Sequence, residues 1–157
     1  MKDAKMIDIT QKPVLYREAQ ASGNIHLRPA TIESIREKDL PKGDPIAIGT
    51  VAAIQAVKDT PRILPLCHPL KLTSVEVDHE VGEHSVELTV RVKALEQTGV
   101  EMEALTGVSA GLLAIWDVVK QFEKDGKGNY PDTRIRDVTV DYKKKGERTE
   151  NPRHGAK

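Results

Sequence analysis

The sequence predicts an α+β fold in which an antiparallel sheet carries its helices on one face. Three observations lead there. Residues 72–80 and 84–95 each alternate apolar with polar side chains, and a glycine turn joins them. Residues 45–58 and 99–124 are long, apolar and patterned in steps of three and four. The chain as a whole runs strand, helix pair, strand, strand, helix, strand, which is the split βαβ or ferredoxin-like order. That topology hosts many unrelated functions, so chemistry has to be argued from individual residues.

The first strand falls on residues 16–27, YREAQASGNIHL, where the alternation is imperfect. Pro29 opens a short helix with Ile32 and Ile35 on one side, and Pro41 stops it. The stretch KGDP at 42–45 starts the next helix, with Asp44 as N-cap and Pro45 as first helical residue. This helix reaches about Lys58 and is apolar nearly all round, from Ile46 to Val57. A helix of that kind is buried on most sides, and in so small a domain a second subunit is expected to supply part of the cover.

The rigid loop LPLCHPL at 64–70 follows. In the next strand Leu72, Val75 and Val77 point inward, with a slip near Thr73. In its hairpin partner Val86, Leu88, Val90 and Val92 share one face. Thr98 and Glu101 match a capping box ahead of a helix running to about Lys124, and Gly126 and Gly128 end it. The last strand covers residues 135–142.

A chain of 157 residues fits one domain, here residues 1–157, with an ordered core at about 13–145 and mobile ends at 1–12 and 146–157. Aromatic residues are only 3% of the chain. The core is therefore built from Val, Ile, Leu and Ala, with Trp116 and Phe122 as its rare large members. The 24 basic residues balance the 24 acidic ones, which argues against a general nucleic-acid binder but leaves room for a local basic pocket. One cysteine makes no internal disulfide. No apolar run approaches a membrane span and no signal peptide is evident, so a cytoplasmic location is expected, with no membrane partner.

Several polar residues invite a chemical reading. Asp117 and Lys120 are three apart on the long helix, beside the apolar Trp116, Val118 and Val119. Such a pair suits acid–base catalysis, although the helix alone favours an ordinary solvent-facing ion pair. A desolvated Lys120 would shift toward neutrality, and Asp117 would oppose that shift. Glu101 and Glu103 complement the helix dipole at its entrance. Glu103 and Asp117 are 14 residues apart, about 21 Å along one helix. One small pocket in one subunit cannot use both, so either the ligand is long or a second copy contributes. His68, stiffened by Pro65 and Pro69, is either a satisfied core imidazole or a positioned one, and Cys67 reads more readily as a small hydrophobe than as a nucleophile. No ligand spacing supports a metal site, and no glycine-rich nucleotide cradle is present.

KGDP at 42–45, IQAVK at 54–58, LPLCHPL at 64–70, GVEMEALTGVS at 99–109 and WDVVK at 116–120 occur in an order that resembles the cyclic pyranopterin monophosphate synthase family of molybdenum cofactor biosynthesis. The resemblance covers about residues 6–146. It implies a ferredoxin-like lyase that converts 3′,8-cyclo-7,8-dihydro-GTP to cyclic pyranopterin monophosphate with release of pyrophosphate. It also implies a homohexamer, a trimer of dimers, with active sites at subunit interfaces. Carried over by position, the catalytic residues are Asp117, Lys120, Lys42 and His68. The substrate-binding residues are Leu66, Cys67, His68, Glu101, Met102, Glu103, Arg17 and Lys143, the last chosen from the run 143–145. Arg17, Lys42 and Lys143 would hold a triphosphate of about four negative charges. No cofactor is implied, and a Mg²⁺ ion accompanying the pyrophosphate is left open. Two departures stand out: KKKGERTE where many relatives have a serine- and glycine-rich loop, and Thr73 with Ser74 where some have a lysine. Set aside the resemblance, and a regulatory module binding a small anion and a purely structural oligomerisation domain rank beside the enzyme.

Overall fold

The computed structural model describes residues 1–147. The elements are β1 (Leu15–His26), α1 (Pro29–Glu37), α2 (Pro45–Ile63), β2 (Leu72–Val81), β3 (Ser85–Glu96), α3 (Glu101–Glu123) and β4 (Arg134–Gly146). The strands form one antiparallel sheet in the order β2-β3-β1-β4, so the predicted fold class holds. The hairpin β2–β3 folds locally, and α3 then carries the chain across so that β4 pairs with β1.

The imperfect alternation of β1 conceals a strict burial pattern. Its inward positions include Ala19, Ala21 and Gly23, residues too small to register as apolar, and all are buried. Gly23 is that small because α3 lies against it: a Cβ there would meet Val108 and Val138 at 2.9 Å. In β3, Val86, Leu88, Val90 and Val92 are fully buried beneath α3, as the pattern predicts. The slip read near Thr73 is a register shift in the β2–β3 ladder between Leu72 and Ser74.

Helices α2 and α3 cross at glycines. A Cβ on Gly111 would lie 2.7 Å from Leu88 and 3.0 Å from the Gly49 carbonyl, so only glycine lets the backbones approach this closely. Helix α2 runs past Lys58, through Pro61, to Ile63. Proline is tolerated near the end of α2, where the Thr60 carbonyl still accepts the Leu64 N–H at 2.8 Å. Val51 and Ile48 on α2 remain exposed, at 64% and 39%, which fits the expectation of an uncovered apolar side.

Four expectations need correction. Phe122 is an exposed residue and Trp116 only partly buried, its ring edge-on to Tyr130 at 5.3 Å. The core is almost wholly aliphatic. No capping box forms, because α3 begins at Glu101 with Val100 in the cap position and no side chain bonded there. The helix start has moved beyond the reach of Thr98, and Glu101 is used elsewhere. The last strand extends to Gly146, so all three lysines of 143–145 lie within it. Finally, α3 is long and apolar enough by composition to cross a membrane, contrary to the reading that no run approaches a span. Here one side of it is buried against the sheet and α2, and it carries Glu103, Asp117 and Lys120. Most of the predicted mobile tail, residues 148–157, lies outside the described residues.

The two ends of α3 are held differently. At its C-terminus the fully buried Glu123 carboxylate accepts bonds from the hydroxyls of Thr31 and Thr133 and from the Arg28 N–H at 3.1 Å. This ties the start of α1 and the segment before β4 to the end of α3. At its N-terminus, α3 opens directly onto the loop after β3.

Candidate active site

Two groups of candidate side chains form, one at each end of α3. The first is built on KGDP. Gly43 adopts φ 104°, a left-handed conformation that favours glycine, and its N–H donates to the Leu40 carbonyl at 3.0 Å. Asp44 caps α2 as predicted, accepting from the N–H groups of Ile46 and Ala47. Together these aim Lys42 at the last third of α3. Lys42 Nζ donates to the Asp117 carbonyl at 3.0 Å and to both carboxylate oxygens at 3.4 Å. Lys120 Nζ meets Asp117 Oδ1 at 2.9 Å.

One carboxylate is thus shared by two ammonium groups, and all three are open to solvent. The hydrogen bonds from Lys120 and then Lys42 hold the Asp117 carboxyl below its usual range. The bond to Asp117 moves Lys120 upward. Of the two competing effects on Lys120, the ion pair therefore wins in the single chain. The lysine is a protonated acid there, and the neutral base that desolvation would create does not arise.

The second group surrounds the entrance of α3. A cavity of about 300 Å³ is lined by Leu66, Cys67, His68, Glu101, Met102 and Glu103, together with Ile7, Ile9 and Lys12 from the N-terminal segment. The turn after α2, closed by the Cys67 N–H on the Leu64 carbonyl at 3.0 Å, brings LPLCHPL to this point. Glu103 is only 4% exposed, and burial pushes its carboxyl up to about 7. The helix-dipole reading of Glu103 did not foresee this burial. Burial also pushes the Cys67 thiol up, helped by the charges of Glu103 and Glu101, so Cys67 is a thiol and not a ready nucleophile.

A second cavity, about 360 Å³, adjoins the first and is edged by Arg17, Lys12 and the lysines 143–145. The two share Lys12, Thr98, Gly99 and Glu101. Arg17 is almost buried, and its guanidinium donates to the carbonyls of Glu96 and Gln97 at 3.3 Å each. Lys143 Nζ meets Glu101 Oε1 at 3.2 Å, while Glu101 Oε2 is buried without a partner among the described residues. The register places Lys143 opposite Ala19, on the helix side of the sheet, which separates it from its neighbour Lys144 over the Tyr142 ring.

The predicted residues therefore divide. Arg17, Leu66, Cys67, His68, Glu101, Met102, Glu103 and Lys143 come together, and so do Lys42, Asp117 and Lys120. The two sets do not meet within one chain, because the unbroken α3 separates Glu103 from Asp117 by about 21 Å. Sequence reasoning overlooked Lys12 and Gln97, whose residue types give no signal outside their tertiary setting. Among the described residues no cluster of three or more His, Cys, Asp or Glu is arranged to hold a metal.

A ferredoxin-like sheet with a buried acid beside a recess edged by cations suits an enzyme that works on a small anionic molecule. The chain belongs to the MoaC family, whose profile matches residues 6–146. It is 54% identical over 144 residues to a probable cyclic pyranopterin monophosphate synthase of Methanoregula boonei, covering 92% of this chain and 93% of that one. Proteins of the same name from Thermococcus kodakarensis and Aeropyrum pernix are 51% and 52% identical over 146 residues, covering 93% of this chain and 94% and 100% of theirs.

Proposed function

We propose that this chain is a cyclic pyranopterin monophosphate synthase. It converts 3′,8-cyclo-7,8-dihydro-GTP to cyclic pyranopterin monophosphate and pyrophosphate, within molybdenum cofactor biosynthesis. The observation that carries this reading is the pair of adjoining cavities. One offers Glu103 and His68 to a ring system that must exchange protons, and the other offers cations to a phosphate chain. The family and the names of the relatives support the same reaction.

The reaction belongs to the phosphorus–oxygen lyases. An oxygen of the substrate forms a bond to its own α-phosphorus, the α,β bridging bond breaks, and pyrophosphate departs with the electron pair. Arg17 and Lys143 receive the negative charge. Lys42, Lys120 and Asp117 come from a neighbouring protomer of a homohexamer, a trimer of dimers, so that each site draws on two chains. The exposed Val51 and Ile48 of α2 support such an assembly. Covered by a neighbour, the Asp117–Lys120 pair loses water and the protonated amine becomes a general acid, with Glu103 accepting and returning protons near pH 7. Any Mg²⁺ would travel with the pyrophosphate. The enzyme works in the cytoplasm.

Incubating the purified protein with the cyclised dihydro-GTP, with and without EDTA, tests the proposal. Stoichiometric pyrophosphate and a product of cyclic phosphate mass are expected. Unchanged substrate in both arms rejects it.

A further inference from the structure

We infer that Lys12 is a further substrate-binding cation, seated where the two cavities join, and that Gln97 is the residue that positions it. This rests on the proposed synthase reading, which it extends by placing a cation against the α-phosphate end of the phosphate chain. Lys12 lines both the ring cavity and the cationic one. A ligand spanning the two must pass it.

The local turn explains how a residue so near the N-terminus is held. The Asp8 carboxylate accepts the Thr10 N–H at 2.8 Å and the Thr10 hydroxyl. The Lys12 N–H donates to the Ile9 carbonyl at 2.9 Å. The Gln97 amide then donates to the carbonyls of Ile9 and Lys12 at 3.3 and 3.1 Å, pinning the turn to the loop between β3 and α3. The carbonyl of that same Gln97 holds Arg17. One residue therefore sets two cations on the same recess.

Charge balance assigns Lys12 its role. Glu101 sits at the junction and would repel a phosphate, while Glu18, the other acid on the second cavity, accepts from the hydroxyls of Tyr16 and Tyr142. Lys143 is already paired with Glu101, and the Arg17 guanidinium is engaged by two carbonyls. Among the described residues Lys12 Nζ has no carboxylate partner, and it is the cation that both cavities share. Its ammonium can be given wholly to the ligand, as a charge-assisted hydrogen bond to phosphate oxygen.

The test uses the full chain and two readouts. Calorimetry with inorganic pyrophosphate is expected to show binding weakened about tenfold or more in Lys12→Ala, largely restored in Lys12→Arg, and unchanged in Lys127→Ala. Turnover is expected to show a raised KM and a nearly unchanged kcat for Lys12→Ala and, more mildly, for Gln97→Leu, at unaltered melting temperature. Wild-type affinity for pyrophosphate in Lys12→Ala, or no binding by the wild type, overturns the inference. Lys12-dependent binding without turnover of the cyclised substrate by the wild type would reject the synthase reading and leave the anion seat standing. Normal turnover by every variant would do the reverse.

Discussion

Glu103 and Asp117 are both acids on α3, yet the chain treats them oppositely. Asp117 lies in solvent and is held ionised by Lys120 and Lys42. Glu103 is buried and its carboxyl titrates at about 7, well above the ordinary value of 4.5. A raised carboxyl favours the protonated form in the folded state. Its destabilising effect is therefore absent below about pH 4.5, grows as the pH rises toward 7, and is complete above that. Glu103→Gln is expected to stabilise the fold by roughly 1–3 kcal/mol at pH 8 and by almost nothing at pH 4.5, measured by denaturant unfolding at the two pH values. The same variant should abolish the titration near pH 7 in the rate profile. Asp117→Ala is expected to keep the melting temperature and the assembly but lose at least about a hundredfold in product formation. Normal turnover would remove Asp117 from the mechanism. Lys42→Ala is expected chiefly to raise KM, and an unchanged KM would contradict a role in holding substrate. The positions of these residues were readable from their motifs. Their ionisation was not, because a helix pattern does not show which side of the first turn a neighbouring loop will cover.

At the scale of elements, motif chemistry was most legible where a backbone rule is local. Asp44 and Pro45 start α2 because a cap and a proline suit a helix entrance in any fold. Asp44→Ala is expected to cost about 1 kcal/mol in thermal or chemical unfolding and to loosen Lys42, since cap and lysine are two residues apart. The register shift at Thr73 was likewise visible as a slip in the alternation. Legibility failed where size replaced polarity. Ala19, Ala21 and Gly23 fill the buried side of β1 with little side chain, so the strand looked irregular although its burial is strict. It failed again at α3, where Thr98 and Glu101 have the capping spacing but the chain starts the helix later and engages Glu101 with Lys143. Phe122 looked like a core residue because aromatic residues are rare, while the glycine crossing of α2 and α3 leaves the interior suited to aliphatic groups.

For the whole molecule, the order of elements was enough to obtain the sheet, and the spacing of Glu103 and Asp117 was enough to foresee that the two lie far apart within one chain. The proposed sharing of a site between protomers makes a specific prediction. Asp117→Ala and His68→Asn are each expected to be inactive alone. Co-assembled in equal amounts, they should regain about a quarter of wild-type activity, since random pairing joins two intact halves in that proportion. Recovery of none would show that each chain works by itself. A last consequence lies in the unbroken length of α3. The stripe that packs on the sheet and the residues at its two ends are set by the same winding. Adding or deleting one residue between Glu103 and Asp117 would turn one end by about 100° against the other and swing apolar groups into water at the same moment. Length variation among descendants of this gene should therefore collect in loops, with the interior of this helix keeping a constant count.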